Sequence, residues 1–164
     1  MIMITQQAVP INIGISEANR KQIVSGLERM MADSFMVYLK TLFFHWNVTG
    51  PMFQPLHSVF ETQYQALALA VDELAERIRS LGYPAPGTFQ QFNHLTSIAE
   101  EAKVPDSDTM LQLLVEGRES VIRVGREVAR VAEQANDIST LDLVTKQVEA
   151  HEKTAWMLRS FLTQ

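Results

Sequence analysis

His45 and His57 are the side chains best placed to do chemistry, because carboxylates stand near them at ligand spacing. His45 lies in Phe43-Phe44-His45-Trp46-Asn47, and His57 in Leu56-His57-Ser58-Val59-Phe60-Glu61. His57 and Glu61 are i and i+4, so on a helix they project from one face about a turn apart and can share a metal. Asp72 and Glu76, in Val71-Asp72-Glu73-Leu74-Ala75-Glu76-Arg77, repeat that spacing further along. Imidazole mixed with carboxylate suits Fe(II), Zn or Mn rather than Cu(I) or Ca. The chain contains no Cys. That excludes disulfides, thiolate metal sites and iron–sulfur clusters, and leaves any redox work to a bound metal or cofactor. Taken singly, each feature also has a plainer reading. A lone His on a partly apolar face is ordinarily a core or interface residue, and carboxylates at i, i+4 are common on solvated faces.

Helix geometry separates the two pairs. Asp72 follows His57 by fifteen positions, which at ~100° and ~1.5 Å per residue puts it only ~60° round the helix but ~22 Å along it. Metal–ligand bonds are only ~2 Å long, so one subunit cannot close a centre from both pairs. A two-fold axis near Ala66 and Leu67 would set His57 and Glu61 of one chain against Asp72 and Glu76 of its mate, giving two equivalent sites. Ala66, Ala68 and Ala70 would admit a close helix approach there, although alanines equally serve plain helix propensity. A di-iron site inside one bundle wants Glu-x-x-His pairs on two helices, and no Glu here is followed by His three positions later.

The elements that must hold these residues read as helices. Ile23, Leu27, Met31, Phe35, Tyr38, Leu42 and Trp46 recur every three or four residues, which predicts a first helix over 17–47 with Ser16 as N-cap. Thr49-Gly50-Pro51 ends it, and a second helix runs from about Phe53 to Leu81, stopped by Gly82, Pro84 and Pro86. Residues 83–107 read as a long connection with one short helix near 89–101. A third helix, about 108–135, ends at Asn136-Asp137, and a fourth spans about 139–162 with Ser139 or Asp137 as cap. Two antiparallel pairs joined by one long crossover give an all-α fold of the ferritin-like four-helix bundle kind. The organisation expected is an N-terminal extension, 1–15, and one bundle domain, 16–164.

Composition fits that picture. At 164 residues and 46% hydrophobic, one domain can bury a core without crosslinks. The first fifteen residues carry no Lys or Arg, and no apolar run approaches the ~18 residues of a membrane span, so a soluble cytoplasmic protein without membrane contacts is expected. The net charge is −5 and basic residues are confined to Arg20 through Arg159. Such a surface attracts cations more than phosphates.

The segment from His45-Trp46-Asn47-Val48-Thr49-Gly50-Pro51-Met52-Phe53 through Leu56-His57 to Asp72-Glu73-Leu74-Ala75-Glu76-Arg77-Ile78 resembles the signature of the Dps family (DNA-binding proteins from starved cells). These are mini-ferritins of the ferritin-like superfamily. His151-Glu152-Lys153-Thr154-Ala155-Trp156-Met157-Leu158 is similar to the family's fourth-helix motif. The resemblance covers the chain beyond its first dozen residues. It implies a homo-oligomeric shell of twelve subunits that binds Fe(II) at two-fold interfaces and oxidises it, preferentially with hydrogen peroxide. The ferric mineral is then stored inside, which makes the protein a ferroxidase. It assigns His45, His57 and Glu61 as ligands from one chain and Asp72 and Glu76 as ligands from its neighbour, with Zn as a competing metal. Many members carry Asp where this chain has Glu61, which leaves open whether Glu61 binds directly, bridges or acts through water.

Trp46 could intercept stray oxidising equivalents or simply pack at the interface. Family pores are built around the turn before the fourth helix, so Glu133, Asp137 and Asp142 are candidates for an acidic three-fold pore, with Asp137 alternatively a cap. His94 and His151 read as structural. The family name suggests DNA compaction, and a DNA-binding cage with structural Zn at its interface is the alternative function. Without clustered cations for counterion release, weak or no DNA binding is expected.

Overall fold

Every helix but the second begins where a short side chain takes up an orphan backbone N–H. The Ser16 hydroxyl accepts from the Asn19 N–H at 3.2 Å, the Asp106 carboxylate from Thr109 at 2.8 Å and the Asp137 carboxylate from Thr140 at 3.0 Å. Residues 10–162 are described in the computed structural model. They form α1 (Glu17–Asn47), α2 (Phe53–Ser80), α3 (Phe89–Leu95), α4 (Ser107–Gln134) and α5 (Ile138–Arg159), with no strand among the described residues. Residues 1–9 of the expected extension lie outside the described residues. The all-α ferritin-like bundle predicted from periodicity is the fold observed.

Two helices end in the same six-residue motif. At the end of α2, Tyr83 N–H bonds the Ile78 carbonyl (3.3 Å) and Gly82 N–H bonds Arg79 (2.9 Å), with Gly82 at φ +95°. Gly82 is required twice over, because a Cβ there would also lie 2.2 Å from the Ile11 side chain. Ile11 is held in turn by Arg20, whose guanidinium donates to the Ile11 carbonyl at 3.1 Å. At the end of α4, Asp137 N–H bonds Ala132 (2.9 Å) and Asn136 N–H bonds Glu133 (3.1 Å), with Asn136 left-handed at φ 54°. Asp137 thus closes α4 with its backbone and opens α5 with its side chain.

α3 is shorter than expected, ending at Leu95 rather than near 101. The buried Asp33 carboxylate of α1 pulls the following residues out of the helix. One oxygen accepts from the Thr96 hydroxyl and the Ser97 N–H, both at 2.7 Å, and the other accepts from the Ser97 hydroxyl at 2.9 Å. α5 also stops short of 162, because Phe161 N–H and Leu162 N–H reach back only three residues, to Leu158 and Arg159, in a tighter turn.

α1 packs on α2, α3 and α4, and α4 packs on α5, while α2 and α5 make no comparable contact. The core divides into two apolar clusters. One contains Ile23, Leu27, Met30, Leu74 and Ile78. The other, built from Phe44, Val48, Leu56, Phe60, Leu114 and Leu158, anchors the end of the bundle where α1 turns into α2.

Asp137 joins three helices. Besides capping α5, it accepts from Arg77 of α2 at 2.7 Å, and Arg77 Nε donates to the Thr140 hydroxyl at 2.8 Å. Burial pushes the Asp137 carboxyl up, but hydrogen bonds from the Thr140 hydroxyl and N–H, together with Arg77, outweigh it and hold the pKa below the ordinary carboxylate value. A carboxyl depressed on folding contributes stability that is present above its unfolded pKa of about 3.9 and lost as pH falls through the folded value. We predict that Asp137→Ala destabilises the protein by about 2–4 kcal/mol in thermal or urea unfolding near neutral pH. The difference from wild type should shrink as the pH is lowered through about 4 and below.

Candidate metal centre

The two imidazoles meet across the α1–α2 turn and lock one another. His45 stands in the last turn of α1, where carbonyls lack intrahelical partners, and His57 stands early in α2. His45 Nδ1 donates to the His57 carbonyl at 2.8 Å, and His57 Nδ1 donates to the His45 carbonyl at 2.9 Å. A carbonyl can only accept, so each Nδ1 carries a proton and Nε2 is the nitrogen left to face a metal. The rings stack with centroids 3.9 Å apart and planes 18° from parallel. Phe53 lies against His57 at 5.1 Å, and Tyr64 approaches His45 edge-on at 5.2 Å. His45 is buried and His57 half-buried, so neither ring is free to turn.

Glu61, Asp72 and Glu76 are exposed on α2, and none forms an ion pair among the described residues. Glu61 lies one turn from His57. Asp72 and Glu76 are remote from it along an unbroken helix, Phe53–Ser80, as the helical rise requires. Among the described residues, no three His, Asp or Glu side chains gather where one ion could bind them all. The chain's own carboxylates and imidazoles therefore form an incomplete set of donors. Near the imidazoles the surface carries exposed apolar side chains: Trp46 is 65% exposed, and Met52 and Phe53 are also open to solvent.

The three acidic residues near the α4–α5 turn are not brought together. Asp137 is buried and fully engaged as cap and as partner of Arg77, so its carboxylate is not open to a passing ion. Asp142 is exposed and pairs with Lys146 at 2.7 Å, and Glu133 is exposed without an ion-pair partner among the described residues. His94 is exposed on α3.

His151 of α5, read from sequence as structural, is buried, and it belongs to a group of buried polar side chains midway along the bundle whose other members, Gln63 of α2, Arg118 of α4 and Gln147 of α5, sequence reasoning missed. Arg118 NH1 donates to His151 Nδ1 and NH2 donates to Gln63 Oε1, both at a long 3.4 Å. Burial, with the adjacent guanidinium, pushes the His151 pKa down to about 3, so the ring is neutral. The signal was available, since Arg118 occupies an apolar-stripe position between Leu114/Val115 and Val121/Ile122. A bundle with a guanidinium at its middle has no seat for a di-iron carboxylate centre there.

Known proteins share the fold. A ferritin-like domain model matches residues 24–164. DNA protection during starvation protein 2 of Bacillus anthracis is 33% identical over 144 residues, covering 88% of this chain and 99% of that one. An uncharacterised low temperature-induced protein of Nostoc sp. is 38% identical over 154 residues, covering 93% and 86%. The crystal structure of a Dps protein from Vibrio cholerae superposes with a TM-score of 0.90 at 29% identity, covering 96% and 99%. It is described as a member of a broad superfamily of ferritin-like diiron-carboxylate proteins. The chain therefore belongs to the Dps family of ferritin-like mini-ferritins.

Proposed function

We propose that this chain is one of twelve subunits of a closed, iron-storing cage, and that it oxidises Fe(II) at sites completed across two-fold interfaces. In each site His45, His57 and Glu61 come from one subunit, and Asp72 and Glu76 from its mate. The observation that carries this reading is the reciprocal His45–His57 lock. It fixes two metal-ready Nε2 atoms beside an exposed apolar surface, while the carboxylates needed to complete the set stand unpaired ~22 Å away along the same helix. Exposed Trp46, Phe53 and Leu69 supply the apolar contact that brings two such surfaces together.

Fe(II) is the substrate. Two Fe(II) ions each give one electron to hydrogen peroxide, which takes up two protons and leaves as two waters, so no one-electron step releases hydroxyl radical. The protein's part is ligand geometry and imidazole orientation. Trp46, exposed next to His45, is placed either to pack in the interface or to quench an escaping oxidant. Iron enters past the acidic surface of the α4–α5 turn, where Asp142 and Glu133 are the open carboxylates. Zn(II), which suits the same ligands, competes for the site.

The alternative, a DNA-compacting cage with structural Zn, has less support, because each chain carries −5 and no cluster of basic residues. Gel-shift at low salt and neutral pH is expected to leave plasmid unretarded, and tight binding would reverse that assignment.

Two measurements test the main reading. Native mass spectrometry should give twelve chains of 18.5 kDa, 222 kDa in all, with His45→Ala and Asp72→Ala shells each losing at least roughly 100-fold in Fe(II) oxidation rate. In shells reassembled from a random equal mixture of the two variants, a site keeps every ligand when its His donor is the Asp72 variant and its Asp donor is the His45 variant. About a quarter of wild-type activity should return. No recovery in verified mixed shells would mean that the ligands come from one chain.

Anaerobic addition of hydrogen peroxide should consume two Fe(II) per peroxide without spin-trapped hydroxyl radical, and Zn(II) should slow the reaction. A shell indifferent to peroxide, binding Zn without iron turnover, would favour the structural-metal alternative.

A further inference from the structure

Between α2 and α5 the bundle is open, and a cleft of about 390 Å³ runs down to Arg118. Its walls are largely apolar, formed by Val59, Leu67, Ala70, Ala150 and Met157. At its base the guanidinium is 4% exposed, yet no carboxylate faces it among the described residues. Its only partners are the two 3.4 Å contacts to Gln63 and to neutral His151, and its Nε has none. A second buried atom on the cleft, Gln147 Oε1, is likewise unpaired, because the Gln147 amide turns its NH₂ toward the Ala70 carbonyl and Glu73. Buried charges in proteins are normally paired. Arg118 lacks such a partner among the described residues.

We propose that the α2–α5 cleft is a binding site for a small organic carboxylate with a short apolar chain, its head group on Arg118 and its tail along the α2–α5 wall. The size and lining are those of a small-molecule site, about 300–1,000 Å³, mostly apolar, with few polar groups that set orientation. Arg118 supplies the forked donors that match a carboxylate. Burial draws its pKa down only to about 10, so the guanidinium stays charged. Gln147 Oε1 is one helical turn of α5 from His151 and offers an acceptor to a hydroxyl on the ligand. A free inorganic anion would satisfy Arg118 but leave the apolar walls wetted, and a neutral lipid would leave the charge uncompensated. The site uses none of the proposed iron ligands, but its walls Leu67 and Ala70 belong to the stretch of α2 where the proposed two-fold contact falls.

The test is isothermal calorimetry of octanoate into the assembled full-length protein, with 1-octanol, acetate and inorganic phosphate as controls. Octanoate should bind once per chain, at least roughly tenfold tighter than octanol, which lacks the charge, and than acetate or phosphate, which lack the tail. Arg118→Met should abolish octanoate binding while raising the melting temperature, because it removes an unpaired buried charge. Ala150→Leu, at an exposed position on the rim, fills the cleft without touching Arg118 and should also abolish it, so the result does not hang on one variant folding. Equal binding of octanol, binding retained by either variant, or no octanoate uptake at millimolar concentration would overturn the proposal.

Discussion

The fixed rise of a helix governs the function available to this chain. α2 is 28 residues long and unbroken, and at ~1.5 Å per residue the pairs His57/Glu61 and Asp72/Glu76 are held about four turns apart. No side-chain rotamer spans that separation, and bending α2 would break the apolar seam of Leu56, Phe60, Leu67, Leu74 and Ile78 that ties it to the core. A metal that needs both pairs must therefore be met by two copies of α2. This turns a local limitation into a requirement for symmetry. Under the proposed assembly the exposed Trp46 and Phe53 would be covered rather than left in water.

The imidazoles are positioned by backbone carbonyls as well as by the aromatic rings packed against them. Each Nδ1–H is held by the carbonyl of the other histidine, so the lock depends on the register of the α1–α2 turn. That register is set by Val48, Leu56 and Phe60, packed into the apolar cluster with Phe44. Far along the bundle, Asp137 performs the same kind of service for α4, α5 and α2 at once, through its N–H, its carboxylate and the pair with Arg77. The frame is thus fixed at its two ends by short polar contacts, and the apolar seams between them need only fill space.

What could be read from sequence follows from which rules are local. Helix spans and caps at Ser16 and Asp137 were legible because capping and 3.6-residue periodicity act within a few residues. The ~22 Å separation was legible because helical rise is a constant. The early end of α3 was not, because Asp33 captures Thr96 and Ser97 from more than sixty residues away. The ring tautomers were also invisible, since they depend on carbonyl positions across the turn. Arg118 does not stand out for a different reason: the apolar stripe of α4 reads well enough on either side of it that the one charge within it does not interrupt the helix pattern.

That charge bears on where metal can go. A divalent cation ~6 Å from a guanidinium, at an effective dielectric of about 20, would be repelled by roughly 5–6 kcal/mol. Arg118 is held deep in the bundle, and His151 beside it is neutral with its Nδ1 already engaged. The bundle middle is therefore closed to Fe(II) on electrostatic as well as coordination grounds. Glu61, Asp72 and Glu76, exposed and unneutralised on α2, present the opposite field to solvent. The field of the chain therefore disfavours cations in the bundle middle and favours them at the α2 surface, the side on which the proposed ligands lie. The burial of Arg118 and the division of the carboxylates along α2 thus act in the same direction.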